Sequence, residues 1–107
     1  MTGVQTCAFP IFDRAYQHAD ALVLPTSPSV AFQFGAKGDN PLAMYLCDVY
    51  TIPSNLTGHP SMSVPFGTGQ HGLPVGVQIL APTLGEPVMF RTAAALEAAM
   101  AATGGAR

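Results

Sequence analysis

A chain of 107 residues suits one small domain, yet only 9% of it is charged and 49% is apolar, against roughly 25% charged in an average soluble domain. Four Lys and Arg with six Asp and Glu cannot cover a free-standing surface of this size, so the composition points to a slice of a larger protein that covers part of it. A net charge of −2 excludes a basic footprint for direct nucleic-acid binding, and no run approaches the roughly 18 apolar residues that cross a membrane, so a cytoplasmic protein is expected.

Thr2 to Ile11, TGVQTCAFPI, has neither caps nor a hydrophobic period. With leucine in place of Phe9 it would be the translation of a sequencing adapter, so residues 1–11 are expected to be a non-native leader outside the fold, and residues 12–107 the genuine segment. Phe12 to Ala19 reads as the last turns of a helix, with Phe12, Ala15, Tyr16 and Ala19 on one face. Ala21 to Leu24 is a continuous apolar run stopped by Pro25, which fits a strand buried on both faces in a mixed or parallel sheet. Thr26, Ser27 and Ser29 follow among prolines, where hydroxyls commonly serve turns. Val30 to Gly38 reads as an extended arm.

The next stretch, Asp39 to Gly67, concentrates the local signals. Asn40 or Asp39 can cap a helix that starts at Pro41, where proline loses a donor that had no partner anyway. Leu42, Tyr45, Leu46 and Val49 fall at helical spacing on one stripe, with Asp48 on its flank. Pro53 pushes the residue before it out of the α region, so a break is expected at Ile52. Ser54 to Thr57 then fits a short helical turn closed by Gly58, and Ser61 to Val64 a strand ended by Pro65 to Gly67. Gly69 to Pro74 reads as a turn. Val75 to Leu80 reads as a strand with both faces buried, placed to pair antiparallel with Ser61 to Val64, and Pro82 stops it. Glu86 and Pro87 open a last helix with a Met89, Ala93, Leu96, Met100 stripe and a stop at Gly104. The order suggests an α/β slice whose strands belong to a larger sheet.

Several fixed positions of this string resemble the amidase signature family, and within it the A subunits of tRNA-dependent glutamine amidotransferases. They are Pro41-Leu42-Ala43-Met44-Tyr45-Leu46, Asp48, Thr51, Pro53, Asn55-Leu56, Gly58, Pro60, Ser63-Val64-Pro65, Gly67, Gly72-Leu73-Pro74, Gly76 and Gln78. Asn40 departs from the pattern, in which the acid usually stands directly before the proline. The resemblance implies the C-terminal slice of an α/β fold with a mixed sheet covered by helices, and residues 12–107 as the C-terminal fragment of an amidase domain. It also implies that Ala21 to Leu24 is a central strand leading into a loop near the active site.

Hydrolysis of a carboxamide needs a nucleophile, a base and donors aimed at the oxyanion. The resembling family uses two serines and a lysine in an upstream Gly- and Ser-rich region, and no residue here matches that triad. Lys37, the only lysine, sits in a glycine-flanked loop and reads as a solvated charge. His18, His59 and His71 have bland contexts and lack metal-site spacing, and Cys7 and Cys47 make neither a disulfide framework nor a zinc site. No catalytic residue and no metal ligand is therefore expected, and the chain alone should hydrolyse neither glutamine nor a simple amide.

Asp48 is the candidate substrate-binding residue. An acid beside an apolar stripe needs a cation or several donors, and it could instead cap the turn at Thr51 or Ser54. The resemblance assigns it the α-amino group of glutamine. It further implies B and C subunits as partners and no cofactor in this chain, with ATP and magnesium needed elsewhere in the complex. A stand-alone amidase of the same family and a non-catalytic interaction module that binds through its apolar surface are the competing readings.

Overall fold

The computed structural model describes residues 3–36 and 40–103, with side chains from residue 9 to residue 102. Its elements are α1 (Gly3–Tyr16), β1 (Leu22–Pro25), α2 (Pro41–Leu46), α3 (Ile52–Thr57), β2 (Ser61–Thr68), a 3-10 turn at Gln70–Gly72, β3 (Pro74–Leu80) and α4 (Glu86–Thr103). The class is α/β as expected, with helices flanking one small sheet of order β1-β3-β2. Both pairings are antiparallel, so β3 is the middle strand of this sheet and β1 lies at its edge. Val23 is accordingly 53% exposed, and β1 is not buried on both faces.

The strand period divides the sheet into two unlike faces. Val23, Ile79 and Met62 stand in register across the three strands, and Val77 pairs with Val64. This face packs on α4, whose Met89 and Ala93 close a core with Val64, Ile79 and Ala81, while Leu96 lies at its border. The stripe expected for the last helix is the one that is buried. Gly104, its expected stop, lies outside the described residues, as do Lys37 and Asp39. The other face carries Leu24, Gln78 and Ser63 in register, with Gly76 and Ser61 beside them.

Five elements differ from expectation in their bounds or burial. β3 is fully buried only over Gln78 to Leu80, because its first residues run past the end of the core. β2 continues through Pro65 to Thr68, since an edge position leaves the missing proline donor facing no partner, and the register slips between Pro65 and Thr68. α2 stops at Leu46, and Ile52 begins α3 instead of breaking a helix. Pro53 sits in the first turn of α3, where no backbone donor is required. α1 runs back through Pro10 to Gly3, because Phe9, Phe12 and Tyr16 recur on one helical face and all three rings meet His59.

The molecule is a plate of 41 × 39 × 17 Å. Its radius of gyration is 15.5 Å, against about 13 Å for a compact chain of this length. Among the described residues α4 covers the apolar face of the sheet, and the α2–α3 segment meets the polar one.

Candidate functional site

The α2–α3 segment is built from caps. Asn40 is the N-cap, its side-chain oxygen accepting from the Ala43 amide at 3.1 Å. After Leu46 the chain turns, and the backbone carbonyl of Asp48 gathers three donors: the Thr51 amide at 3.0 Å, the Thr51 hydroxyl at 3.0 Å and the Ile52 amide at 3.1 Å. The Thr51 carbonyl then accepts from the Ser54 hydroxyl and the Asn55 amide group. Gly58 closes α3 at φ 71°, a left-handed conformation that glycine reaches without a Cβ penalty. The cap expected of Asp48 is thus made by its carbonyl, and its exposed carboxylate is left for other partners.

This turn sits against the polar face of the sheet. Gln78 is 2% exposed, and a buried amide needs partners at both ends. Its Nε2 donates to the Tyr50 carbonyl at 2.8 Å, and its Oε1 accepts from the Ser61 hydroxyl at 2.9 Å. One strand further along the face, the Thr26 and Ser63 hydroxyls lie 2.7 Å apart across Gly76. A Cβ at Gly76 would stand 2.7 Å from Ser63 Oγ and 3.1 Å from Thr26 Oγ1, so the hydroxyl pair can form only over a glycine. Thr26, Ser61, Ser63 and Gln78, with Ser54 and Asn55 from α3, line a cleft of about 380 Å³.

The chemistry of this face is hydrogen bonding. Ser27 donates to the Ser29 carbonyl, the turn role expected of it, while Ser61 and Ser63 are bonded to an amide and a hydroxyl. Such groups can orient a polar ligand, but none of these hydroxyls is bonded to a base that would activate it. Among the described residues no three His, Cys, Asp or Glu side chains come together as a metal site.

An amidase family model matches residues 9–89. The chain belongs to the amidase family. It is 53% identical over 97 residues to the A subunit of the glutamyl-tRNA(Gln) amidotransferase of Nocardia farcinica, covering 90% of this chain and 20% of that protein. To the corresponding protein of Maricaulis maris it is 48% identical over 94 residues, 88% of this chain and 19% of that protein. The crystal structure of the same amidotransferase component from Thermotoga maritima superposes with a TM-score of 0.73 at 40% identity, over 81% of this chain and 20% of that one. A 6-aminohexanoate cyclic dimer hydrolase complexed with substrate superposes with a TM-score of 0.70 at 31% identity, over 81% of this chain and 21% of that one. The chain therefore spans about a fifth of the length of the curated relatives it matches.

Within this amidase segment the histidines part company. His18 and His71 are exposed, as bland contexts suggest, but His59 is 7% exposed among the rings of Phe9, Phe12 and Tyr16. Its Nδ1 and the Tyr16 hydroxyl are both buried without a described partner, and burial pushes the Tyr16 phenol up from 10.0 to about 12. Nothing in its sequence context announces this, because the covering rings come from a helix more than forty residues upstream. Gln78 stands among the motif positions, but the sequence reading assigned it no role. It sits between Val77 and Ile79 in a strand expected to be buried, and an amide in such a strand signals a buried hydrogen-bonding partner.

Proposed function

We propose that this segment is the C-terminal part of the glutamine-hydrolysing A subunit of an amidotransferase, and that Asp48 receives the α-amino group of glutamine. The parent enzyme would release ammonia for amidation of Glu-tRNA(Gln) or Asp-tRNA(Asn) in the cytoplasm, beside B and C subunits, with ATP and magnesium used elsewhere in the complex. The observation that carries this reading is the identity of about half the residues to proteins of that name, over nine-tenths of the chain. The structure is compatible with the role of Asp48: its carbonyl is locked into the turn while its carboxylate is exposed. Residues 1–11 we read as a leader outside the domain of residues 12–107, even though Phe9 reaches His59.

Asp48→Asn in the full-length enzyme carrying this segment keeps the shape and removes the charge. Losing a charge-assisted hydrogen bond costs about 1.5–3 kcal/mol, so KM for glutamine should rise by roughly 10- to 150-fold. Steady-state kinetics with glutamine as the varied substrate measure this, and an unchanged KM would rule out the role. A second reading, a stand-alone amide hydrolase, draws on the superposition with the 6-aminohexanoate cyclic dimer hydrolase. It predicts turnover of a small amide without B and C subunits.

A further inference from the structure

The 47–51 turn is held from two sides. Within itself, the Asp48 carbonyl is saturated by the Thr51 amide, the Thr51 hydroxyl and the Ile52 amide, so residues 48–52 move as one unit. Toward the sheet, that unit is gripped at the Tyr50 carbonyl by Gln78 Nε2 at 2.8 Å. A primary amide can point either its oxygen or its nitrogen at a given partner, and only the nitrogen suits a carbonyl. The Tyr50 carbonyl, an acceptor only, therefore sets that orientation, and the Ser61 hydroxyl completes it by donating to Oε1 at 2.9 Å. The amide is 2% exposed, so water does not replace either bond at low cost. The neighbouring side chains of α2 give little support, since Leu42, Tyr45 and Leu46 are exposed in this chain.

We infer that Gln78, its amide oxygen held by Ser61, is a positioning residue for the substrate-binding turn: it fixes the height and direction of residues 48–52 over the sheet and so places the Asp48 carboxylate. This inference rests on the reading of Asp48 as the ligand of the glutamine amino group, and it adds two residues that act without touching the substrate. A ligand displaced by about an ångström loses much of its charge-assisted bond, so the clamp controls substrate affinity more than the chemical step.

The test uses Gln78→Met and Ser61→Ala in the full-length enzyme carrying this segment. Methionine matches glutamine in length and volume but cannot hold the Tyr50 carbonyl, and Ser61 is exposed, so its truncation leaves packing intact. Expected for Gln78→Met is a rise in KM for glutamine of about fivefold or more with kcat within about twofold, and for Ser61→Ala a smaller rise of the same kind. In an Asp48→Asn background neither should raise KM further. The clamp itself is read separately by hydrogen exchange: the Thr51 and Ile52 amides should exchange at least about tenfold faster in Gln78→Met while the β3 amides stay as they were.

Unchanged exchange at Thr51 and Ile52 overturns the clamp, whatever Asp48→Asn does. A normal KM in Gln78→Met, with KM raised in Asp48→Asn, overturns its role in binding and leaves the ligand reading standing. A fall in kcat alone would make Gln78 a structural residue and likewise overturn the inference. Faster exchange with an unchanged KM in Asp48→Asn would keep the clamp as a structural device and remove the ligand reading.

Discussion

α4 and α2 both carry an apolar stripe at helical spacing, yet one stripe is covered and the other is open. Met89 and Ala93 of α4 are buried against Val64 and Ile79, whereas Leu42 and Tyr45 of α2 are 65% and 69% exposed. The difference lies in their partners. α4 follows β3 after a short connection and folds back on the sheet that β2 and β3 have just made. α2 precedes both strands, and it is the turn after it that meets the polar face, where Gln78 and the serines offer hydrogen bonds. A stripe that a chain of this composition leaves in water implies a cover from outside the segment, in keeping with a chain about a fifth as long as its relatives.

The largest effect should come from the closed side. Ile79 is wholly buried in the core under α4, and Ile79→Ala removes three carbons that the surroundings cannot replace. A loss of about 2–5 kcal/mol in denaturant unfolding of the full-length protein is expected. A smaller loss would mean that α4 repacks onto the sheet, and that the closed side is less closed than its geometry implies.

An intermediate effect is expected on the polar face. Gly76→Ala drives a methyl against Ser63 Oγ and Thr26 Oγ1, separating the two hydroxyls and tilting β1 from β3. Overpacking of this kind costs about 1–3 kcal/mol. Combining it with Ser63→Ala, which withdraws the nearest clashing atom, should return part of that loss. An unaltered melting curve for the single variant would show that the face tolerates bulk.

The smallest stability effect belongs to the open stripe. Leu42→Lys in this chain by itself should change unfolding by no more than about 0.5 kcal/mol, because no described contact is lost, and should reduce self-association in analytical ultracentrifugation. In the full-length protein a cover over the stripe should make the same change destabilise by more. Equal effects in the two settings would end the contrast between α2 and α4.

Much of this architecture was legible in local signals. Asn40 with Pro41 announced the start of α2, Gly58 the end of α3, Pro82 the end of β3, and the Met89, Ala93, Leu96 spacing the buried face of α4. These signals are short-range: a cap, a left-handed glycine or a helical period acts within a few residues and is written out in order. The α/β class, the antiparallel pairing of β2 with β3 and the family motifs belong to the same group.

Other features depended on which segments meet. The run from Ala21 to Leu24 reads as doubly buried in sequence, but burial is a property of neighbours, and β1 has a strand on one side only. His59 looked bland because its environment comes from α1, and α1 itself began earlier than expected because its aromatic stripe straddles position 9. Asp48 was legible as a candidate by its motif and its flank position, while Gln78 was legible only as a motif position and its partner was not. Composition and periodicity by themselves determined the order of most elements and the deficit of charge. Only the tertiary structure decided that an amide in β3 reaches a carbonyl twenty-eight residues upstream, because a hydrogen bond of that range exists only once the sheet has brought its two ends together.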